Sequence, residues 1–301
     1  MSTVQITKPP AVCSGCRDGQ GFAFDLAMAF QPIVDLELGR VFAYEALVRG
    51  PAGEGAESVL SRVSAENRYA FDQKCRVAAI EGAVAASILD DDARLSVNFM
   101  PDAVYSPVAC IQLTLATAMK SSFPTERLIF EFTEHEKMAD PRHVAGIVAT
   151  YRKLGFATAL DDFGAGYAGL ALLAAIGPDI VKIDIQLIRD IDASAAKRTI
   201  VAHVVRMCTE MGIRVICEGV ETMAEFSVLR QSGVRYMQGY LFGRPSFRSI
   251  GPVAWPAATT DPLHPTPRAL AFVAAASSGQ PQDILTTSDP TRQTWNSDAK
   301  F

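Results

Sequence analysis

The sequence predicts an α/β fold, a (β/α)8 barrel whose first two strands run antiparallel. Eight apolar strand-like segments follow one another, and helix-like patterns separate most of them. The connection between the first two strands, VDLELGR, is too short for a helical crossover, so these two strands are expected to pair antiparallel. A doubly wound open sheet is the structural alternative, because periodicity alone does not reveal whether a sheet closes.

The alternation of strands and helices extends from about residue 24 to residue 245. Apolar runs predict the strands AMAFQPIV (27–34), RVFAYEALVR (40–49), LSVNF (95–99), RLIFEFTE (127–134), GFATALDD (155–162), DIVKIDIQLI (179–188), IRVICEG (213–219) and RYMQGYLF (235–242). Helical patterns lie between most of them, over 66–89, 107–120, 142–154, 168–176, 195–211 and 223–232.

Several helix boundaries carry recognisable signals. Asp140-Pro141 places a capping aspartate before a proline at the first helical position, and Thr222 with Glu225 fits a capping box. Glycines are predicted to end four helices just before the next strand, at Gly155, Gly177, Gly212 and Gly233.

The chain divides into three parts. Residues 24–249 form the predicted barrel domain, and residues 1–23 look like an irregular lead-in. Residues 250–301 are rich in Pro, Ser, Thr, Asp and Gln, which favours a loosely ordered tail in which RALAFVAAA (268–276) indicates a short helix.

Composition argues against several function classes. The chain has 301 residues and a net charge of −5, so no general basic field would attract nucleic acid or an acidic membrane surface. No apolar run approaches the roughly 18 residues of a membrane-spanning helix. The start, MSTVQITKPPAV, lacks the regions of a signal peptide. We expect a cytoplasmic protein that binds neither nucleic acid polymers nor membranes.

The six cysteines fit a reducing compartment. Four of them lie in apolar segments, where reduced cysteine is a small core residue: Cys75, Cys110, Cys208 and Cys217. Cys13 and Cys16 form a lone CxxC, for which a reduced turn is the simpler interpretation and a zinc or redox pair the alternative.

Polar residues interrupt six predicted strands, mostly near their carboxyl ends. They are Glu45, Asn98, Glu131, Asp161, Asp162, Lys182, Asp184 and Glu218, with Lys182 in the middle of its strand. Singly they have ordinary explanations, such as an exposed sheet edge for Glu45 or a structural ion pair for Lys182 and Asp184. Because the carboxyl ends of barrel strands converge on one face, the whole set indicates a single site.

The charges in this set balance if two divalent cations are bound. Glu45, Glu131, Asp161, Asp162 and Glu218 carry five negative charges, and two divalent cations with Lys182 supply five positive ones. Oxygen ligands without histidine favour Mg²⁺ or Mn²⁺ over zinc. The histidines at 135, 143, 203 and 264 do not align with strand ends, and only His135 follows a strand closely enough to lie near the site.

The adjacent Asp161 and Asp162 have a chemical use in such a site. One carboxylate can bridge two cations while its neighbour completes one of them. Two cations about 3.5–4 Å apart suit in-line displacement at a phosphodiester. A nearby lysine can orient the attacking water and add positive charge.

These residues lie in sequence blocks that resemble the EAL-domain phosphodiesterases, which linearise the bacterial messenger cyclic di-GMP. YEALVRG (44–50) carries the Glu-Ala-Leu signature. The other blocks follow in the family's order: FQPIVD (30–35), VNFMP (97–101), FEFTEHE (130–136), LDDFGAGYAGL (160–170), VKIDIQLI (181–188), CEGVET (217–222) and QGYLFGRP (238–245). The resemblance covers about residues 25–247 and implies a TIM-like barrel, usually working as a homodimer.

The resemblance also implies a ligand set. By similarity, one Mg²⁺ or Mn²⁺ is bound by Glu45, Asn98, Glu131 and Asp161, and the second by Asp161, Asp162 and Glu218. Lys182 resembles the residue that activates the hydrolytic water, with Glu218 as an alternative proton acceptor. Glu221 resembles a residue that supports the lysine region and the substrate.

Further positions match the family's substrate and loop residues. Gln31, Leu47, Arg49 and Gln238 match positions that contact the dinucleotide, Arg49 through phosphate. Glu134 resembles the carboxylate that anchors the loop after the two aspartates. In that loop Ala165, Ala168 and Gly169 replace hydroxyl-bearing residues common in relatives, which removes hydrogen bonds available to the loop.

The complete ligand set favours metal-dependent hydrolysis of cyclic di-GMP to linear pGpG. The alternatives are a noncatalytic cyclic di-GMP receptor or protein-interaction module on the same fold, and a barrel enzyme that acts on another phosphodiester. Regulation is expected from a protein partner, from the Cys13/Cys16 segment or from the tail.

Overall fold

The structure is a computed structural model, and it describes residues 21–133, 141–166 and 169–256. Asp140, the predicted helix cap, lies outside these residues, as do Cys13, Cys16 and the segment 268–276. Residues 250–256 run along the barrel, where Ile250, Val253 and Trp255 pack against the core.

Eight strands close into a barrel, which confirms the predicted (β/α)8 fold. They are β1 (Ala27–Asp35), β2 (Arg40–Arg49), β3 (Arg94–Asn98), β4 (Leu128–Thr133), β5 (Ala157–Phe163), β6 (Ile180–Ile183), β7 (Arg214–Cys217) and β8 (Tyr236–Gln238). Strands β2 to β8 pair parallel in sequence order. Strand β1 pairs antiparallel with both β2 and β8, so the sheet has no open edge there and the doubly wound alternative is wrong.

Helices cross between the parallel strands on the outside of the barrel. They are α1 (Ala56–Leu60), α2 (Arg68–Ala85), α3 (Pro107–Cys110), α4 (Gln112–Lys120), α5 (Pro141–Lys153), α6 (Gly169–Ile176), α7 (Ile185–Ile188), α8 (Ala195–Glu210) and α9 (Met223–Gln231). A short strand, β9 (Ser246–Phe247), adds to β1.

The local boundary signals act as predicted. The side chain of Thr222 accepts a hydrogen bond from the Glu225 backbone, and the Glu225 side chain accepts one from the Thr222 backbone. Gly155, Gly177 and Gly212 adopt positive φ after their helices, as does Gly233. This left-handed conformation ends a helix without the steric cost of a side chain.

Two predicted strands are shorter than expected. Strand β6 ends at Ile183, because Asp184 leaves the ladder and caps α7 by accepting a hydrogen bond from the Gln186 amide at 2.7 Å. Lys182 therefore lies near the carboxyl end of its strand and not in the middle. Strand β8 ends at Gln238, where a glycine brings the chain against a neighbouring loop.

The barrel interior changes from apolar to polar along its axis. One buried cluster fills the half near the amino ends of the strands: Ile33, Ala43, Ile129, Ala159, Ile180, Ile216 and Tyr236. The residues two positions later in the sequence are polar. They include the buried Glu45, Glu131, Asp161, Lys182, Glu218 and Gln238. Side chains alternate along a strand, so this offset of two keeps each polar residue on the inward face.

Strand β1 follows the same rule in reverse. Because β1 runs antiparallel to its neighbours, its polar residue Gln31 precedes the apolar Ile33. The outward faces of the strands carry a larger apolar cluster that packs against the helices and includes Phe30, Phe99 and Phe130. The fold thus places one polar layer at a single end of the barrel interior, whose other end is apolar.

A close backbone approach at Gly239 yields a prediction about the carboxyl end of the barrel. A Cβ at Gly239 would lie 2.0 Å from the carbonyl oxygen of Val220. We expect Gly239→Ala to destabilise the protein by about 3 kcal/mol, because neither backbone segment can move aside without breaking its hydrogen bonds. Urea unfolding of the purified variant measures this.

Gly146→Ala is the matched control. Gly146 lies inside α5, and a Cβ there meets no atom within 4 Å. Alanine should raise the free energy of unfolding by up to about 1 kcal/mol, because it favours the helix over glycine. Equal stability of the two alanine variants would contradict the steric argument.

Candidate active site

The ammonium group of Lys182 lies at the centre of the polar layer. Its Nζ atom is 2.6 Å from Glu218 Oε1 and 2.8 Å from Glu131 Oε2. Asp161 Oδ1 at 3.3 Å and Glu45 Oε2 at 3.5 Å complete its carboxylate contacts. The lysine side chain is 0% exposed, so these attractions act with little screening by water.

Burial and like charge shift the ionisation of these groups. Burial raises the pKa of the Glu131 carboxyl well above its ordinary value, and Glu45 and Asp161 add to the rise while Lys182 opposes it. Burial alone would lower the pKa of Lys182, but the surrounding carboxylates outweigh it and raise that pKa well above its ordinary value. The lysine is therefore held protonated, and it faces four carboxyl groups, more than one ammonium group can neutralise if they all ionise.

The carboxylates form two groups that share Asp161. Oxygen atoms of Glu45, Glu131 and Asp161 lie within 4.8 Å of one another, and so do oxygen atoms of Asp161, Asp162 and Glu218. Every member is buried. Both donor sets consist of oxygen atoms, which hard cations such as Mg²⁺ and Mn²⁺ prefer.

A backbone irregularity brings the adjacent Asp161 and Asp162 to the same site. Successive side chains in a regular strand point to opposite faces. Here the β5–β6 register shifts between Leu160 and Phe163, and Asp162 adopts φ of 54°. This left-handed conformation is unusual for a non-glycine residue and marks a site where the chain is held away from its preferred geometry. The Asp162 amide also donates a 2.8 Å hydrogen bond to Asp161 Oδ1.

Neutral amides and a hydroxyl extend the network around the carboxylates. Gln238 Nε2 donates to Glu45 Oε2 at 2.7 Å and to Gln31 Oε1 at 3.2 Å. Asn98 Nδ2 donates to Glu45 Oε1 at 3.3 Å, which places this amide beside the first carboxylate group. The structure thus brings Gln31, Asn98 and Gln238 together with the acidic residues.

Ser96 belongs to this network and was missed by the sequence reasoning. Its buried hydroxyl donates a 2.5 Å hydrogen bond to Glu131 Oε1. Ser96 precedes Asn98 by two residues on β3, so both side chains face inward. The spacing of two residues between Ser96 and Asn98 is the feature of the sequence that indicates a shared inward face.

Two predicted substrate residues lie on β2 beyond Glu45. Leu47 is buried, and Arg49 is partly exposed with its Nη1 atom donating to the Val48 carbonyl at 2.7 Å. Partial burial lowers the pKa of the Arg49 guanidinium, while Tyr240 and Glu45 oppose that shift. The positive charge of Arg49 therefore lies within electrostatic reach of the acidic cluster.

Glu221 lies apart from the carboxylate groups. Its carboxylate makes a bidentate ion pair with Arg189, with contacts of 2.8 Å to Nη1 and 2.7 Å to Nη2. Neither three-residue carboxylate group among the described residues includes it. Its role in supporting the lysine region and the substrate stays a prediction, and Arg189 is the partner that sequence spacing did not reveal.

Some predicted site residues lie outside the described part of the chain. Glu134, the predicted loop anchor, and His135 are among them, as is Ala168 of the loop after the two aspartates. The described cysteines are all buried and reduced, at positions 75, 110, 208 and 217.

The fold and site define an α/β-barrel protein with a buried, oxygen-rich acidic centre at the carboxyl ends of its strands. The chain belongs to the EAL domain family, whose model matches residues 23–245.

Two solved structures resemble the chain closely. A standalone versatile EAL protein from Vibrio cholerae O395, in its c-di-GMP bound form, is 47% identical with a TM-score of 0.74, and the match covers 77% of this chain and 97% of that one. BlrP1 from Klebsiella pneumoniae, in a manganese/cy-diGMP complex, is 36% identical with a TM-score of 0.72, covering 77% of this chain and 59% of that one.

Curated relatives carry different functional names. The blue light- and temperature-regulated antirepressor BluF of Escherichia coli is 30% identical over 76% of this chain and 56% of BluF. The probable cyclic di-GMP phosphodiesterase PdeB of Escherichia coli is 29% identical over 73% of this chain and 42% of PdeB. The chain thus spans about half the length of these relatives. In the described part of the chain, no helix has the length and apolar character needed to cross a membrane.

The contacts of Lys182 predict its effect on stability. In a chelating buffer, Lys182→Met should lower the free energy of unfolding by about 3–5 kcal/mol, because it leaves buried carboxylates without their ammonium partner. Added Mn²⁺ should restore more stability to this variant than to the parent. Chemical unfolding with and without Mn²⁺ measures both effects.

Lys120→Met serves as the control for loss of a positive charge. Lys120 is exposed at the end of α4, so its removal should change stability by less than about 0.5 kcal/mol. If Lys182→Met behaves like Lys120→Met, the ammonium group does not balance the buried carboxylates.

Proposed function

We propose that this chain hydrolyses cyclic di-GMP to linear pGpG with two divalent cations, Mg²⁺ or Mn²⁺. Water attacks one phosphorus, the bond from that phosphorus to the 3′ oxygen breaks, and the leaving oxygen takes up a proton. The product is a linear dinucleotide with a 5′ phosphate.

The observation that carries this proposal is the pair of carboxylate groups that share Asp161 and enclose Lys182. Because Asp161 belongs to both groups, two bound cations would lie close together, as two-metal phosphodiester hydrolysis requires.

The donor chemistry supports the assignment of the cations. Glu45, Asn98, Glu131 and Asp161 would hold one cation, and Asp161, Asp162 and Glu218 the other. When bound, these cations lower the pKa of the attacking water and stabilise the charge that develops on the phosphate. The excess negative charge of the cluster favours their uptake.

The other residues have roles that follow from their position and charge. Lys182 stays protonated and orients the attacking water, with Glu218 beside it as a proton acceptor. Arg49 binds a substrate phosphate, and Gln31, Leu47 and Gln238 contact the dinucleotide. Glu221 acts through Arg189 as a support for this end of the barrel.

The relatives support the choice of cyclic di-GMP as the substrate. The Vibrio cholerae structure contains c-di-GMP, the BlrP1 structure contains manganese and cy-diGMP, and PdeB is named for cyclic di-GMP phosphodiesterase activity. A homodimer and a regulatory protein partner stay predictions from the family resemblance, and so does the loop-anchoring role of Glu134.

The similarity to BluF favours a second candidate function, that of a protein-interaction module. BluF is named an antirepressor, and its match to this chain covers 76% of this sequence. On that function the chain would bind a protein partner and leave cyclic di-GMP intact.

Turnover separates the candidates. Purified protein incubated with cyclic di-GMP and Mg²⁺ or Mn²⁺ should yield pGpG, detected by chromatography and mass. Binding of the nucleotide without product would support a receptor. Neither binding nor product would support a partner-binding module or a different substrate.

Glu45→Gln tests the first cation group in the same assay. The variant keeps the size of the side chain but loses its charge and one of its two acceptor oxygens, so the rate should fall by about 100-fold or more. Glu210→Gln, which changes an exposed carboxylate paired with Arg206, should keep the parental rate. A parental rate for Glu45→Gln would remove Glu45 from the ligand set.

Lys182→Met tests the role of the ammonium group in the reaction. We expect kcat to fall by about 100-fold or more, because the attacking water loses its orienting group. The KM for cyclic di-GMP, measured with Mn²⁺ present, should change much less. Equal losses in binding and in kcat would mean that Lys182 contributes to substrate affinity and not to the chemical step.

A further inference from the structure

A fully buried ion pair lies behind the strands that carry the first carboxylate group. Asp72 and Arg76 are one turn apart on α2, and Arg76 Nη2 lies 2.6 Å from Asp72 Oδ2. Both side chains are 0% exposed. They lie in the layer between barrel and helices, outside the polar interior.

The second oxygen of Asp72 holds the backbone at the end of β3. Its Oδ1 atom accepts a 2.9 Å hydrogen bond from the Met100 amide. Strand β3 ends at Asn98, and the last bond to β4 runs from the Phe99 amide to the Glu131 carbonyl. The Met100 amide is therefore the next donor after the ladder ends, and Asp72 is its acceptor.

Arg76 contacts the residues next to the predicted ligands. Its guanidinium lies 5.4 Å from the Phe99 ring centre and 5.5 Å from the Phe130 ring centre. Its Nη1 atom donates to the Tyr151 hydroxyl at 3.0 Å. Phe99 follows Asn98 and Phe130 precedes Glu131, and because side chains alternate, the rings face α2 while the ligands face the interior.

Stability alone does not account for this pair. Taking two charges out of water is costly, and well-packed apolar residues of similar size are often as stabilising as a buried ion pair. An apolar pair could fill the same space. What it could not do is accept the hydrogen bond from the Met100 amide.

We propose that Asp72, braced by Arg76, is a positioning residue that fixes the end of β3 and thereby holds Asn98 in register with Glu131 for cation binding. The inference rests on the proposed function, because it assumes that these residues bind a cation. Asp72 itself touches neither the cation nor the substrate. It acts through one backbone hydrogen bond, two residues beyond Asn98.

Two double variants isolate that bond. D72N/R76M removes both charges but keeps a side-chain oxygen that can accept from the Met100 amide. D72L/R76M is nearly the same size and removes the acceptor. We expect D72N/R76M to bind Mn²⁺ like the parent, and D72L/R76M to bind one of its two Mn²⁺ ions about tenfold more weakly. Calorimetric titration of the full chain with Mn²⁺ measures both ions.

Thermal unfolding accompanies the titration, so that loss of fold is distinguished from loss of affinity. Equal Mn²⁺ affinity in two folded double variants would overturn the proposal. An equal loss of Mn²⁺ affinity in both variants, relative to the parent, would overturn it as well. The buried charges, and not the Met100 hydrogen bond, would then determine the affinity.

The parent protein provides a second measurement that does not depend on a variant folding. Coupling is reciprocal, so if loss of the Met100 bond weakens Mn²⁺ binding tenfold, saturating Mn²⁺ must lower the equilibrium population of the open bond by a similar factor. Hydrogen exchange at the Met100 amide should therefore slow about tenfold relative to amides in α8. An unchanged ratio would overturn the proposal.

These outcomes separate the inference from the proposed function. If the parent binds no Mn²⁺, with or without cyclic di-GMP, the proposed function fails. If the parent binds two Mn²⁺ ions and hydrolyses cyclic di-GMP while D72L/R76M binds Mn²⁺ equally well, only the role of Asp72 fails.

Discussion

The repulsion among buried carboxylates is the constraint on which the site depends. Glu131 and Asp161 lie buried with further acidic side chains inside the barrel, and such groups ionise together only when positive charge lies among them. Lys182 supplies one such charge and contacts four carboxylates within 3.5 Å. The remaining acidic groups form two clusters of oxygen atoms around this lysine. The charge balance of the site therefore depends on one lysine.

The barrel interior separates an apolar half from the acidic site. One half of the interior is an apolar cluster built on residues such as Ile129 and Ile180, and the polar layer begins two residues later on each strand, at Glu131 and Lys182. The apolar half contributes burial without hydrogen-bonding demands. The free energy gained by this burial offsets the free-energy cost of burying charged groups at the other end. The site therefore needs no separate scaffold.

Local departures from regular structure refine the polar layer. Asp162 joins the site because its backbone leaves the strand conformation, and Asp184 leaves β6 to cap a short helix. Outside the barrel, Asp72 binds the backbone just beyond β3. Each feature acts at the carboxyl end of a strand, where the ladder stops and backbone groups need other partners.

The sequence by itself determined the order of strands and helices, the helix ends at residues such as Gly212 and Thr222, and the strands that carry acidic residues. These are local properties, because capping and periodicity depend on neighbours along the chain. Only the tertiary structure decided that β1 closes the barrel against β8, that Asp162 turns toward Asp161, and that Glu221 pairs with Arg189. Those features depend on contacts between distant segments and on the conformation of single residues, which no periodic pattern specifies.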